Sequence, residues 1–328
     1  MMRVLLFSWL VSLLVLPALP IPARAQTLQS HLWSKRLGST GEDTGHAVAV
    51  DSNGNVVVTG FFQGTVDFGG GGLTSAGDLD SFVAKFSGAD GSHLWSKRFG
   101  STDFDRGDEV AVDGSGNVVV TGLFEGTVDF GGGGLTSVGR YDRHDIFVAK
   151  FSGANGSHLW SKRFGSADFF DAGVGVALDS SGNVVVTGWF TGTVDFGGDN
   201  LTSAGIDDVF VAQFSGADGS HLWSKRFGST GNDEGLGVAV DGSGNVVVTG
   251  YFTGTVDFAG GGLTSAGNSD IFVAKLAPTS GASTPPAVAG LHQINVRIPS
   301  STRSASDIPV VLSIGGKQSN PATIAVAP

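Results

Sequence analysis

The sequence predicts an all-β protein, a β-propeller. Three observations carry that expectation. One set of phrases recurs four times in the same order, apolar residues follow strand periods, and glycine-rich turns separate them. The chain holds 53 glycines among 328 residues, more than double the usual share of roughly 7%. They keep no G-X-Y register, which excludes collagen.

Residues 1–25 form the first element, a secretory signal peptide. Arg3 is its positive start, Val4 to Leu16 is almost wholly apolar, and Ala23-Arg24-Ala25 is an A-x-A cleavage site. The apolar run is short for a membrane span, which needs about 20 residues. The expected product is secreted, periplasmic or displayed at the cell surface, with no membrane span after cleavage.

Composition narrows the class. Lys and Arg total 19 against 30 Asp and Glu, a formal charge of −11, which argues against nucleic acid as a partner. The chain has no cysteine, so disulfides, thiol nucleophiles and Cys-ligated zinc are excluded. A hydrophobic share of 41% excludes a disordered acidic chain.

The repeats occupy residues 26–276. H-L-W-S-K-R-[LF]-G begins at His31, His93, His158 and His221, with spacings of 62, 65 and 63 residues. V-A-[VL]-D ends at Asp51, Asp113, Asp179 and Asp241. G-N-V-V-V-T-G, G-T-V-D-F and D-x-F-V-A-[KQ] follow in each copy. The unbroken Val56 to Thr59 run suits a strand buried on both faces. Phe82 to Phe86 alternates as a second strand, His31 to Leu37 reads as a third, and Val48 to Val50 as a short fourth. Asp51-Ser52-Asn53-Gly54-Asn55 is hairpin chemistry, and Gly64 to Asp80 has room for a small extra hairpin.

The phase of the copies suggests how the ring closes. The N-terminus carries a spare H-L-W-S-K-R strand, and the last copy ends at Ile271 to Lys275 without one. Pairing the two would close a four-bladed ring and leave no long free edge. An open array, or a ring completed by the tail or a partner chain, is the alternative.

The phrases V-A-V-D-x-x-G-N-V-V-V-T-G, D-x-F-V-A-K and L-W-S-K-R-F-G resemble the bacterial SBBP-type β-propeller repeat. The resemblance implies an extracellular protein with no firm activity. Its name refers to seven blades, whereas four copies are present here, so the blade count is read from this sequence. Residues 277–289 are a linker rich in Pro, Ser, Thr, Gly and Ala. Residues 290–328 resemble the closing strands of a small Ig-like β module of bacterial exported proteins. They should dock on the propeller or on another chain.

Candidate chemistry is sparse. Asp43, Asp105, Asp171 and Asp233 lie eight residues before the V-A-[VL]-D aspartates. They could form a carboxylate ring for Ca²⁺ or a cationic ligand, or make one turn bond per blade. The glycine runs match no phosphate loop, because no G-K-[ST] follows. The W-S-K-R cations read as edge protection and as cover for the Trp ring. The second copy carries an insertion holding Tyr141, Arg143 and His144, the candidate ligand-binding residues. It should lie on the same face as the Asp43-type loops. The leading expectation is a non-enzymatic binding or cell-surface interaction module for an extracellular glycan or protein. The alternatives are a carbohydrate-active lyase or hydrolase in the channel, and a purely structural surface protein. No catalytic residue is assigned.

Overall fold

The computed structural model describes residues 30–138, 143–167 and 170–278, together with the backbone of four short strands in the tail. The signal-peptide reading, Tyr141 and the strand read at residues 290–299 lie outside the described residues.

Every described copy builds an antiparallel meander. Sheet 1 is β1 (Asp43–Val50), β2 (Val56–Phe62), β5 (Asp80–Phe86) and β6 (His93–Phe99), with β3 (Thr65–Asp67) and β4 (Gly72–Thr74) as a separate hairpin. Sheet 2 is β7 (Asp105–Val112), β8 (Val118–Phe124), β11 (Asp145–Phe151) and β12 (His158–Phe164), with the hairpin β9 (Thr127–Asp129) and β10 (Gly134–Thr136). Sheet 3 is β13 (Asp171–Leu178), β14 (Val184–Phe190), β17 (Asp208–Phe214) and β18 (His221–Phe227), with β15 (Thr193–Val194) and β16 (Leu201–Thr202). Among the described residues, sheet 4 is β19 (Glu234–Val240), β20 (Val246–Phe252) and β23 (Asp270–Leu276), with the hairpin β21 (Thr255–Asp257) and β22 (Gly262–Thr264). The extra hairpin anticipated between the second and third strands is thus present in each copy.

The turns form as their chemistry dictates. Asp51 Oδ1 accepts the amides of Asn53 and Asn55, each at 2.9 Å, and Gly54 takes φ +81°. An inner-strand bulge recurs between Gly45 and Ala47. It brings the chain so close to β2 that a Cβ on Gly60 would lie 2.0 Å from the Thr44 carbonyl oxygen. Only glycine fits there.

The sheets stack face on face, and the core lies in the seams. Val57 and Val83 of sheet 1 pack with Val110, Val118 and Phe124 of sheet 2. Val119, Ile146 and Val148 of sheet 2 pack with Val176, Val184 and Phe190 of sheet 3. Val185, Val209 and Val211 of sheet 3 pack with Val246, Phe252 and Phe272 of sheet 4. This explains why β5, β11 and most of β17 are buried at every position despite an alternating sequence: the next sheet covers the face that would otherwise be wet.

Polar clasps reinforce two of the seams. Lys85 Nζ and Trp95 Nε1 of sheet 1 both donate to the Gly153 carbonyl of sheet 2, at 2.9 and 3.1 Å. Lys150 and Trp160 of sheet 2 donate in the same way to Gly216 of sheet 3, at 2.8 and 3.3 Å. Lys85 also pairs with the buried Asp51, at 2.8 Å. The arginine of W-S-K-R is not mere edge protection. Arg98, Arg163 and Arg226 pair with the buried Asp80, Asp145 and Asp208.

The closing strand pair expected from the sequence is not formed. Sheet 4 has three strands, and residues 30–38 carry no strand assignment. The reason is local. Trp33 Nε1 donates to the Gly88 carbonyl of sheet 1 at 3.0 Å, and Leu37 packs on the sheet 1 cluster of Phe62, Phe68 and Phe82. The segment is docked on sheet 1 just as β6 is docked on sheet 2, and it does not reach β23.

The tail from Ser280 is a separate unit. It pairs β24 (Ile308–Val310) with β27 (Ala322–Ile324), and β25 (Ser313–Ile314) with β26 (Lys317–Gln318).

Candidate functional site

The long connections share one end of the sheets. Asp105 N donates to the Leu79 carbonyl, Asp171 N to His144 and Asp233 N to Asp207, at 2.8, 3.1 and 2.8 Å. Each entry to an inner strand is therefore tied to the connection before the third strand of the preceding sheet. Arg143 and His144 lie at this end, beside the loops of Asp105 and Asp171.

The four candidate aspartates have a local task here. Asp105 Oδ2 accepts Ser101 N at 2.6 Å and its Oδ1 accepts Glu125 N at 3.2 Å. Asp171 binds Ser166 N and Thr191 N, and Asp233 binds Ser229 N and Thr253 N. Asp43 accepts Ser39 N at 2.6 Å. Burial pushes the Asp105 carboxyl up to about 8, with a smaller push from nearby Asp80. Burial likewise raises Asp171 to about 7. Among the described residues no group of three His, Cys, Asp or Glu side chains is arranged to hold a metal ion. Each of the four carboxylates thus accepts backbone amides of its own connection, one set per sheet.

A line of rings crosses this end of the stack. His46 meets Phe61 edge-on at 5.3 Å between centroids, and Phe61 lies 6.4 Å from Phe104. Phe104 lies 5.5 Å from His144, and His144 5.3 Å from Phe170. The line thus runs from sheet 1 through sheet 2 to the edge of sheet 3. Arg143 places its guanidinium 4.5 Å from the Phe170 centroid, and Arg106 sits 5.9 Å from that of Phe104. Carboxylates flank the rings. Glu125 is 2.6 Å from His144 Nδ1, while Asp108 receives Arg106 at 2.7 Å and His46 at 3.2 Å. Phe170 is exposed, and Phe104 and His144 are half-buried. Such a surface offers flat apolar rings with charged hydrogen-bonding groups at their rims.

The structure places two of the sequence candidates, Arg143 and His144, in line with Phe61, Phe104, Phe170 and His46, which the sequence reading did not name as candidates. The signal lay in a position-by-position comparison of the copies. The residue after V-V-V-T-G is Phe61, Leu123, Trp189 or Tyr251. The one before the Asp43-type aspartate is Glu42, Phe104, Phe170 or Asn232. The one before D-x-F-V-A is Leu79, His144, Asp207 or Ser269. These positions vary within an otherwise repeated text, and the fold brings them together at one end.

The family comparison agrees with the repeat architecture. Residues 32–60 match the family described as Beta-propeller repeat (SBBP). An uncharacterized WD repeat-containing protein, L264, of Acanthamoeba polyphaga mimivirus is 27% identical over 281 residues. That match covers 70% of this chain and 19% of the relative, so the chain spans about one-fifth of the relative's length. A solved structure titled "Structure of Dos1 propeller" aligns over 65% of this chain and 63% of its own, at 12% identity and a TM-score of 0.23. The matched segment, its three further copies and the four stacked antiparallel sheets give this chain the repeat architecture of an all-β propeller fold.

Proposed function

We propose that the chain is an exported, non-enzymatic interaction module. It takes a protein ligand on the long-connection end, across Phe104, His144 and Phe170. The observation that carries this reading is the convergence of the copy-to-copy variable positions into one line of rings, in which the buried Phe61 backs Phe104 and the accessible members are Phe104, His144 and Phe170. Partly exposed aromatic and guanidinium groups are the kind that anchor protein interfaces. The WD-repeat relative is consistent with an interaction role. Export rests on residues 1–25, and N-terminal sequencing of secreted protein should find Gln26 first.

The test is selection of displayed peptides on the purified chain and on the double variant His144→Ala, Phe170→Ala. Expected are peptides that bind the parent and lose at least tenfold in affinity on the variant. No enrichment on the parent would overturn the protein-ligand reading. A glycan-array signal in its place, measured with and without Ca²⁺, would transfer the same surface to a sugar ligand.

A further inference from the structure

The two ends of the sheet stack carry halves of one seam. At the sheet 4 end, Ile271 is 81% and Val273 69% exposed, whereas their counterparts Ile146 and Val148 are fully buried. At the sheet 1 end, Val48 is 63% exposed, whereas its counterpart Val110 is 4% exposed. No packing comparable to β1 on β7, β7 on β13 or β13 on β19 joins β19 back to β1. Each end thus presents the residues that, three times within the chain, fit the residues of the other end.

The polar parts are also waiting. The carbonyls of Gly153 and Gly216 each take a Trp and a Lys from the preceding sheet. Gly88 takes Trp33. The lysine that completes this pattern is Lys275 of sheet 4, which sits exposed beside Asp241 at 2.7 Å. Among the described residues no strand pairs with the outer edge of β23, whereas β5, β11 and β17 each have such a partner. The residues of that partner, His31 to Leu37, are held on sheet 1 by Trp33 and Leu37.

We propose that a second copy of this chain docks on sheet 4 through its own sheet 1. Residues 31–37 of the incoming copy pair antiparallel with β23 in the register of β5 with β6. In sheet 1, Ala84 faces Ser96 and Lys85 faces Trp95. The intermolecular pairs are then Ala274 with Ser34 and Lys275 with Trp33. Lys275 turns to the Gly88 carbonyl of the incoming copy, while Ile271 and Val273 bury against its Val48. This contact is heterologous. Two copies close a ring of eight sheets if the rotation returns, and otherwise the chain extends into longer arrays. The occupant is a second copy because both halves of the seam are present and already fit each other three times. Within one copy, the N-terminal segment is docked far down the stack on sheet 1.

The test uses the absence of native cysteine. The double variant Ser34→Cys, Ala274→Cys places one thiol on each side of the expected pair, without background. Oxidation should give a disulfide-linked species of at least twice the monomer mass on non-reducing gels. The parent should sediment at twice the monomer mass or more. The variant Ile271→Asp, Val273→Asp changes only exposed side chains, so it should keep the parent's β-sheet spectrum and sediment as a monomer. A cross-linked species of monomer mass would mean that the chain closes on itself, and would overturn the proposal. A monomeric parent at every loading concentration would overturn it too, whether the tail or another protein covers sheet 4.

Discussion

The middle of the stack and its ends are built from the same words and behave as different materials. Val148 and Val273 occupy the same position of D-x-F-V-A-K, yet one is fully buried and the other 69% exposed. Lys150 and Lys275 make the same ion pair with a hairpin aspartate, buried in one case and exposed in the other. Burial here comes from the neighbouring sheet and not from the residue. That is the behaviour of a quasi-one-dimensional repeat, in which each unit is stabilised by the interface it shares.

The sharpest way to break this comparison is to charge both positions. Val148→Asp puts an unpaired carboxylate into a dry seam between sheets 2 and 3. It should destabilise by more than about 4 kcal/mol, enough to unfold a marginal domain. Val273→Asp should stay within about 0.5 kcal/mol of the parent when measured dilute. Urea unfolding followed by far-ultraviolet circular dichroism reads both. Equal losses would mean that β23 is covered in solution.

Next in size is the lysine. Burial works against ionisation of Asp51, but bonds from Lys85, Asn55 and Asn53 outweigh it and hold the carboxyl well below the usual range. Lys85→Met removes the cation and leaves that buried charge with only its bonds from Asn53 and Asn55, at a cost of about 3 kcal/mol. Lys275→Met breaks the matching exposed pair and should cost under about 1 kcal/mol. The ratio of the two losses, from the same urea experiment, measures how far the end differs from the seam.

A third contrast uses glycine. A Cβ on Gly70 would lie 2.2 Å from Cε1 of His93, which caps the glycine run of sheet 1. Gly70→Ala should cost about 1–3 kcal/mol through overpacking. Gly260 is its counterpart in sheet 4, where the strand that would bring the histidine is missing, and nothing lies within 4 Å. Gly260→Ala should be near neutral, and thermal melts of the two variants check the pair.

These contrasts also mark what the sequence could tell. The recurring V-V-V-T-G and D-x-F-V-A-K phrases made the strands, the hairpin turns and the small extra hairpin readable, because strand period and turn chemistry are local. The single end to which Arg143 and His144 belong followed from meander topology. The destination of His31 to Leu37 was not readable. Its sequence is identical to β6 through the arginine, and only contact with Gly88 and the Phe62–Phe68 cluster decides which sheet holds it. The ring line was missed because each member alone is an ordinary apolar substitution. Only the stacking of three sheets puts Phe61 beside Phe104, and Phe104 and Phe170 beside His144.

The smallest effect expected lies in the pH dependence of the inner seams. Asp105 is raised to about 8, first by burial and then, against the bonds from Ser101 and Glu125, by Asp80. Between the ordinary carboxyl value of 3.8 and about 8, the folded chain keeps a proton that the unfolded chain has lost. The contribution is therefore fully present below the ordinary value and disappears as pH rises through about 8. Asp171, raised to about 7, adds to the same decline. The turn aspartates Asp51, Asp113 and Asp241 are lowered and work in the opposite sense, losing stability as pH falls below the ordinary value. Stability should thus peak on the acid side of neutrality and fall toward alkaline pH. Asp105→Asn cannot titrate and can accept through one oxygen only. It should cost about 1 kcal/mol at acid pH for the weakened bond to Ser101 or Glu125, and show a shallower alkaline decline. Melting temperatures across this range decide the matter. A parallel downward shift with the parent's slope intact would place the titration elsewhere than in the seam between sheets 1 and 2.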